Sequence, residues 1–207
     1  MHPPQKPSAL EPSNPYTSSV ESPPSTDDIH TNLGASVQLP NSSMFQEAPN
    51  GQTRPPTLFV IFGAQGDLTK RKLIPALYNL AASRHLPQEF AILGVDGVSM
   101  TTEDFRLKIS RDLQELSTRP IDSTIKEWLL DRLHYLSGDF RDPHTYEGLQ
   151  TALSQLNTQY GTRGNYLYYM ATAPTFFGEI VQQLGEKGLV AHDREYSRRI
   201  VIEKPFG

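Results

Sequence analysis

The residues best placed to do chemistry form a short glycine-bearing string, Phe62-Gly63-Ala64-Gln65-Gly66-Asp67-Leu68-Thr69, which follows an apolar run and leads into a basic cluster, Lys70-Arg71-Lys72. Glycines at 63 and 66 let a backbone approach a ligand closely, and a helix opening just after them would present unpaired N–H groups to an anion. The spacing is not the full three-glycine fingerprint of dinucleotide sites. A glycine pair of this kind is equally at home in a plain tight turn. Its position between a buried strand and an amphipathic helix is what favours a dinucleotide phosphate. The basic cluster also reads two ways. It is either a solvated helix face or a source of one cation that reaches back to phosphate, where a bound anion would offset the cost of positive charge near a helix N-terminus. Lys204, followed by Pro205, stands at the end of the last apolar run. A lysine at a strand's carboxyl end faces the binding crevice of a doubly wound sheet, although most such lysines are simply solvated.

The elements that must hold these residues alternate along the chain. Thr57-Leu-Phe-Val-Ile-Phe62 is a continuous apolar run with β-branched and aromatic character, which predicts a buried strand. Residues 68–84 carry apolar side chains at helical spacing, with Pro75 near the start, where a missing N–H costs least. Strands are expected at 90–95, 134–137, 165–171 and 199–203. Helices are expected at 102–117, 122–133, 143–160 and 175–187, with Thr101 or Thr102 and Asp122 as N-caps and a stop near Gly188. Strands and helices in alternation, with unbroken apolar strands, specify an α/β fold. Its core is a doubly wound, mostly parallel, Rossmann-type sheet covered on both faces.

Composition divides the chain in two. Residues 1–56 hold 11 of its 17 prolines and only two aromatics, Tyr16 and Phe45. Such a segment cannot bury enough apolar surface to offset the entropy of ordering it, so a disordered tail at 1–56 and one folded domain at 57–207 are expected. The net charge of −4 rests mostly on the tail, and no basic field points to nucleic acid. There is no apolar run of membrane length. The start lacks the charged-then-apolar pattern of a secretory leader and the arginine-rich, acid-poor character of a transit peptide, so a cytoplasmic setting is expected. The absence of cysteine excludes disulfides, thiol catalysis and cysteine-held zinc.

The string from Phe62 to Tyr78, with its GAxGDL core, basic pair, leucine, proline and aromatic, resembles the coenzyme loop of glucose-6-phosphate dehydrogenases. The closing Arg199-Ile-Val-Ile-Glu-Lys-Pro-Phe-Gly207 is similar to that family's IVxEKPFG element. Between them, Gly161–Asn165 and Tyr166–Phe177 are similar to its fourth-strand region. The resemblance covers 57–207. It implies oxidation of the C1 hydroxyl of glucose 6-phosphate to the lactone, with hydride passing to NADP. By matching position, Gly63, Ala64, Gln65, Gly66, Asp67, Leu68, Thr69 and Lys70 would line pyrophosphate and ribose. Lys204 would lie between nicotinamide and sugar as the catalytic and substrate-binding lysine, and Pro205 would position it. Phe177 falls where relatives carry a tyrosine near the coenzyme, and full-length members are expected to be homo-oligomers.

The sequence departs from that pattern in two ways. Gln65 replaces the usual Ser or Thr of the loop, and Gly94-Val95-Asp96-Gly97 replaces G-x-A-R after the second strand. An acid there accepts from a ribose 2′-hydroxyl and repels a 2′-phosphate. NAD is therefore an alternative coenzyme, unless Lys72 or Arg106 takes over the phosphate. Second, none of the six histidines lies in an IDHYLGKE-like segment, where the family keeps its catalytic base. Asp139 and Asp142 read as turn and cap residues. This leaves two expectations open: part of a working dehydrogenase, or a dinucleotide-binding module without turnover.

Overall fold

A computed structural model describes residues 2, 54–117, 120–191 and 193–203. The tail expected at 1–56 falls almost wholly outside the described residues, as do Lys204 and Pro205.

Strand β1 (Thr57–Phe62) is buried at every position but its first. Successive side chains of a strand point to opposite faces. Leu58, Val60 and Phe62 therefore enter one apolar core while Phe59 and Ile61 enter a second on the other side. A strand with a core on each face must be apolar throughout, which is why the run shows no alternation. The chain continues through α1 (Ile74–Ala82), β2 (Phe90–Asp96), α2 (Thr102–Leu116), α3 (Ser123–Asp131), β3 (Leu133–Ser137), α4 (Pro143–Tyr160), β4 (Tyr166–Met170), α5 (Phe177–Glu186) and β5 (Arg198–Ile202).

All five strands are parallel, in the order β3-β2-β1-β4-β5. Helices α1, α2 and α3 supply Ile74, Leu77, Phe105, Ile109 and Leu129 to the core that holds Ile61. Helices α4 and α5 supply Tyr146, Leu149, Leu153, Ile180 and Leu184 to the core that holds Phe62. Each fully buried side chain of this size contributes about 1.5–3 kcal/mol. The chain leaves β1 for β2 on one side and returns as β4 on the other. Their carboxyl ends therefore diverge at β1, the place where such sheets bind ligands.

Helix starts follow local chemistry. Thr101 and Asp104 form a reciprocal capping box ahead of α2. The Asp122 carboxylate accepts from the N–H groups of Thr124 and Ile125 at 2.9 and 3.1 Å. Asp142 caps α4 through the N–H of His144, while Asp139 accepts from the N–H of Arg141 in the turn before it, so both are turn and cap residues as expected. Gly161 ends α4 with φ +66°.

Two details differ from the sequence expectation. The helix expected over 68–84 opens with a π-helical turn, Thr69–Leu73, before α1 proper. Proline at 75 has no N–H, and its ring would crowd the carbonyl of residue 71 in a regular α-turn. The wider turn, closed by the N–H of Ile74 on the carbonyl of Thr69, relieves that crowding. A 3-10 turn, Pro174–Phe176, also precedes α5.

Candidate coenzyme site

The loop after β1 is held in place by its own backbone. The N–H groups of Gly63 and Ala64 both donate to the carbonyl of Val95, at 2.9 and 3.3 Å, and Gly66 N–H closes a turn on the carbonyl of Gly63 at 3.1 Å. Gly63 has φ +91°, and a Cβ there would lie 2.4 Å from the carbonyl oxygen of Ala171. Only glycine meets both demands. Behind the loop, the hydroxyl of Thr69, fully buried, donates to the carbonyl of Gly63 at 2.9 Å. Ala64 is buried too, packed so tightly under Gly94 that a Cβ on Gly94 would come within 2.7 Å of it.

The eight loop residues therefore divide. Gly63, Ala64 and Thr69 shape the turn from inside. Gln65, Gly66, Asp67 and Leu68 form its outer, ligand-accessible side. The Lys70 N–H donates to the carbonyl of Gly66 at 3.1 Å; a helix that opens at the carboxyl end of a parallel sheet offers the N–H groups ahead of its first bond to an anion. A loop of this kind, ahead of a helix start, is one that can receive an anion. Lys70 behaves differently from expectation. Its ammonium does not turn to the loop but pairs with Asp112 of α2 at 2.6 Å, and Lys108 approaches the other carboxylate oxygen at 3.3 Å. Arg71 pairs with Asp67 at 2.6 Å, and Lys72 is exposed.

Asp96, the last residue of β2, faces the same loop. Its Oδ2 accepts the Gln65 N–H at 2.9 Å, and the Gln65 side-chain amide reaches the sulfur of Met100 at 3.2 Å. Beside them Tyr135 donates its hydroxyl to the carbonyl of Val98 at 2.6 Å. Burial and then the charge of Asp96 push the Tyr135 phenol up to about 12, so the phenol stands neutral beside the carboxylate. Met100 and Tyr135 carry no sequence motif, and only the parallel pairing of β2 with β3 brings them here. Gly97 opens onto free space, with nothing within 4 Å of where a Cβ would stand.

The other expected positions are placed less directly. Phe177 begins α5 beyond the carboxyl end of β4, but its ring packs partly against the core under α4 and α5. Arg106 is turned to the opposite end of the sheet, where its guanidinium donates to the carbonyls of Leu133 and Asp131 at 2.9 and 3.0 Å. Among the described residues no histidine bonds to the glycine loop or to Asp96. His85 precedes β2. His134 is the second residue of β3, with Nε2 2.9 Å from the Tyr160 hydroxyl. His144 is exposed beside Glu147. An open cavity of about 650 Å³ lies among Tyr78, Leu113, Ile121 and Ile125. It is formed at the far end of α1 and shares no residue with the glycine loop. Among the described residues no cluster of side chains could hold a metal ion, and no helix is long and apolar enough to cross a membrane.

Residues 60–207 match the family described as glucose-6-phosphate dehydrogenase, NAD binding domain. The glucose-6-phosphate 1-dehydrogenase of Chlamydia muridarum is 38% identical over 157 residues, 74% of this chain and 31% of that protein. Its counterpart from Aggregatibacter actinomycetemcomitans is 40% identical over 148 residues, 72% of this chain and 29% of that one. A solved glucose-6-phosphate dehydrogenase in complex with its substrate glucose-6-phosphate superposes with a TM-score of 0.64 at 27% identity, over 75% of this chain and 32% of that chain. The chain thus spans about a third of the length of the relatives it matches. Because the match runs from within β1 through the loop after it and strands β2 to β5 to the segment that closes the chain, this protein belongs to the glucose-6-phosphate dehydrogenase family, within its NAD-binding domain.

Proposed function

We propose that the chain is the coenzyme-binding part of a dehydrogenase that oxidises the C1 hydroxyl of glucose 6-phosphate to the lactone. The observation that carries this reading is the loop after β1. Its backbone is anchored to the end of β2 through Val95 and Asp96, Gly63 is sterically obligatory, and its outer face opens at the point where the sheet diverges. A nicotinamide dinucleotide, when bound, supplies the hydride acceptor. The residues of this chain bind and orient it. Gln65, Gly66, Asp67 and Leu68 flank the pyrophosphate, and the first helical N–H groups face its charge. NADP is the coenzyme that the family resemblance implies. The choice at the ribose 2′ position is made at the end of β2.

Lys204 follows β5 by two residues in sequence. In this reading its ammonium donates to a sugar oxygen and holds the substrate against the nicotinamide, with Pro205 fixing its approach. A compact ammonium suits that task, and holding the reacting atoms in line supplies much of the rate. Removal of the C1 hydroxyl proton needs a base within hydrogen-bond reach, and no described histidine is there. The described residues thus perform the binding half of the reaction.

The test is to express the complete product of the reading frame that contains this chain. Reduced nicotinamide is then followed with glucose 6-phosphate, glucose or fructose 6-phosphate. Turnover confined to glucose 6-phosphate, and lost in Lys204→Ala with the dinucleotide still bound, is the expected result. Dinucleotide binding without turnover on any sugar would overturn the dehydrogenase reading and leave a binding module.

A further inference from the structure

We propose that Asp96 makes this site select a dinucleotide with a free ribose 2′-hydroxyl, NAD, over one that carries a 2′-phosphate. The inference rests on the dinucleotide reading above and deepens it. Three observations carry it.

The first is where the carboxylate is held. Asp96 ends β2 and is fixed against the loop by the Gln65 N–H at 2.9 Å. That bond orients the carboxylate and occupies one oxygen. The pair of hydroxyls on an unmodified ribose can donate to the other. In a doubly wound sheet the end of the second strand is where the adenosine ribose lies. A carboxylate there accepts hydroxyl protons, whereas it repels a phosphate dianion across a few ångströms of partly desolvated space.

The second is that Arg106, Lys70 and Arg71 are engaged elsewhere, which leaves the exposed Lys72 as the cation the experiment must test. Arg106 is bound to two carbonyls at the far end of β3. Lys70 is paired with Asp112, and Arg71 with Asp67. Among the described residues, no lysine or arginine forms an ion pair with Asp96. Gly97, the next residue, has open space where a longer side chain could stand and brings no charge to it.

The third is the character of the surrounding wall. Gln65 is held away by the sulfur of Met100, and Tyr135 spends its proton on the carbonyl of Val98. Val98, two residues on from Asp96 in the chain, is an apolar side chain 48% exposed, which suits an adenine face rather than a second anion. Gln65, Met100 and Tyr135 thus bring no charge of their own to the Asp96 carboxylate.

The experiment is titration calorimetry of the 207-residue chain with NAD and with NADP, repeated on Asp96→Asn, Asp96→Asn with Gly97→Arg, and Lys72→Met. Asparagine keeps an oxygen to accept the Gln65 N–H, so the loop is retained, and a thermal melt confirms folding. The parent is expected to bind NAD at least about tenfold tighter than NADP, the size of effect that one unfavourable charge contact gives. Asp96→Asn should bring the ratio near one, and adding Gly97→Arg should invert it. Tighter NADP binding by the parent, or an NAD preference unchanged in Asp96→Asn, would overturn the assignment while leaving the dinucleotide site intact. A selective loss of NADP binding in Lys72→Met would do the same by naming the cation that holds the phosphate. Failure to bind either dinucleotide would overturn the coenzyme site itself.

Discussion

Replacing Gly63 by alanine tests the loop at its tightest point. Two costs add. At φ +91° an L-residue is strained, by about 1–2 kcal/mol for a backbone of left-handed type. The new methyl would also lie 2.4 Å from the carbonyl oxygen of Ala171 and 2.7 Å from its carbonyl carbon. Those atoms are backbone, tied to β1 by the Ala171 N–H on the carbonyl of Phe62 at 2.8 Å, so they cannot swing aside as a flexible side chain would. Forcing extra volume into such a place costs about 1–3 kcal/mol. The sum is about 2–5 kcal/mol. For a folded part of this size, each kcal/mol lowers the melting temperature by about 2–4 °C, so a drop of about 5–20 °C is expected. Urea denaturation gives the free energy directly, and Gly97→Ala, with nothing within 4 Å of its new methyl, serves as the control, with a change of about 0.5 kcal/mol or less. If Gly63→Ala costs no more than Gly97→Ala, the account of the loop as backbone packed on backbone is wrong.

Asp112, 5% exposed, faces two ammonium groups whose side chains are each about a third exposed. Solvent screens the pairs, so Asp112→Asn should cost about 1–2 kcal/mol. A Lys70→Met, Asp112→Asn double-mutant cycle should then show positive coupling, and additive losses would mean that the pair holds nothing. His134 is kept down to about 4 by burial and, next, by Arg106. Its neutral form is favoured in the folded state, so the unfolded chain takes up the proton first. The stability it contributes is whole above pH 6.5 and is lost as pH falls from there to about 4. His134→Gln should therefore flatten the fall in melting temperature between pH 7 and pH 5, and an unchanged slope would place the acid sensitivity elsewhere. The histidine's own titration, followed by NMR, should stay incomplete at pH 5.

The fold was legible because its signals are local. The run from Thr57 to Phe62 is apolar throughout for the same reason that it lies between two cores. Asp122, Asp142 and Thr101 each cap the helix that follows them through bonds spanning two or three residues. The glycine loop was legible too, since its conformational demands are met by residue type at fixed positions. What escaped was set by pairing distant in sequence. Nothing within the basic cluster says that Lys70 will turn to α2, although Lys108 and Asp112, four residues apart on one helix, offered a hint of a charged face. Pro75 was read correctly as belonging near a helix start, but the wide turn ahead of it follows from crowding that only a closed backbone shows. Met100 and Tyr135 reach the crevice through the register of β2 with β3, which no local pattern encodes.

The central place of β1 has a consequence for how the chain is made. One edge of β1 pairs with β2, which follows closely. The other pairs with β4, whose first residue is Tyr166, roughly 100 residues later. At about 5–20 residues per second of synthesis, the unpaired edge of an apolar strand waits about 5–20 s for its partner. During that interval the half-sheet β3-β2-β1 exists without its second neighbour and offers Phe62 and Val60 to whatever is near. The nascent chain is thus exposed to mispairing until β4 is made, and slowing translation between β3 and β4 would be expected to lower the yield of folded protein more than slowing it after β4.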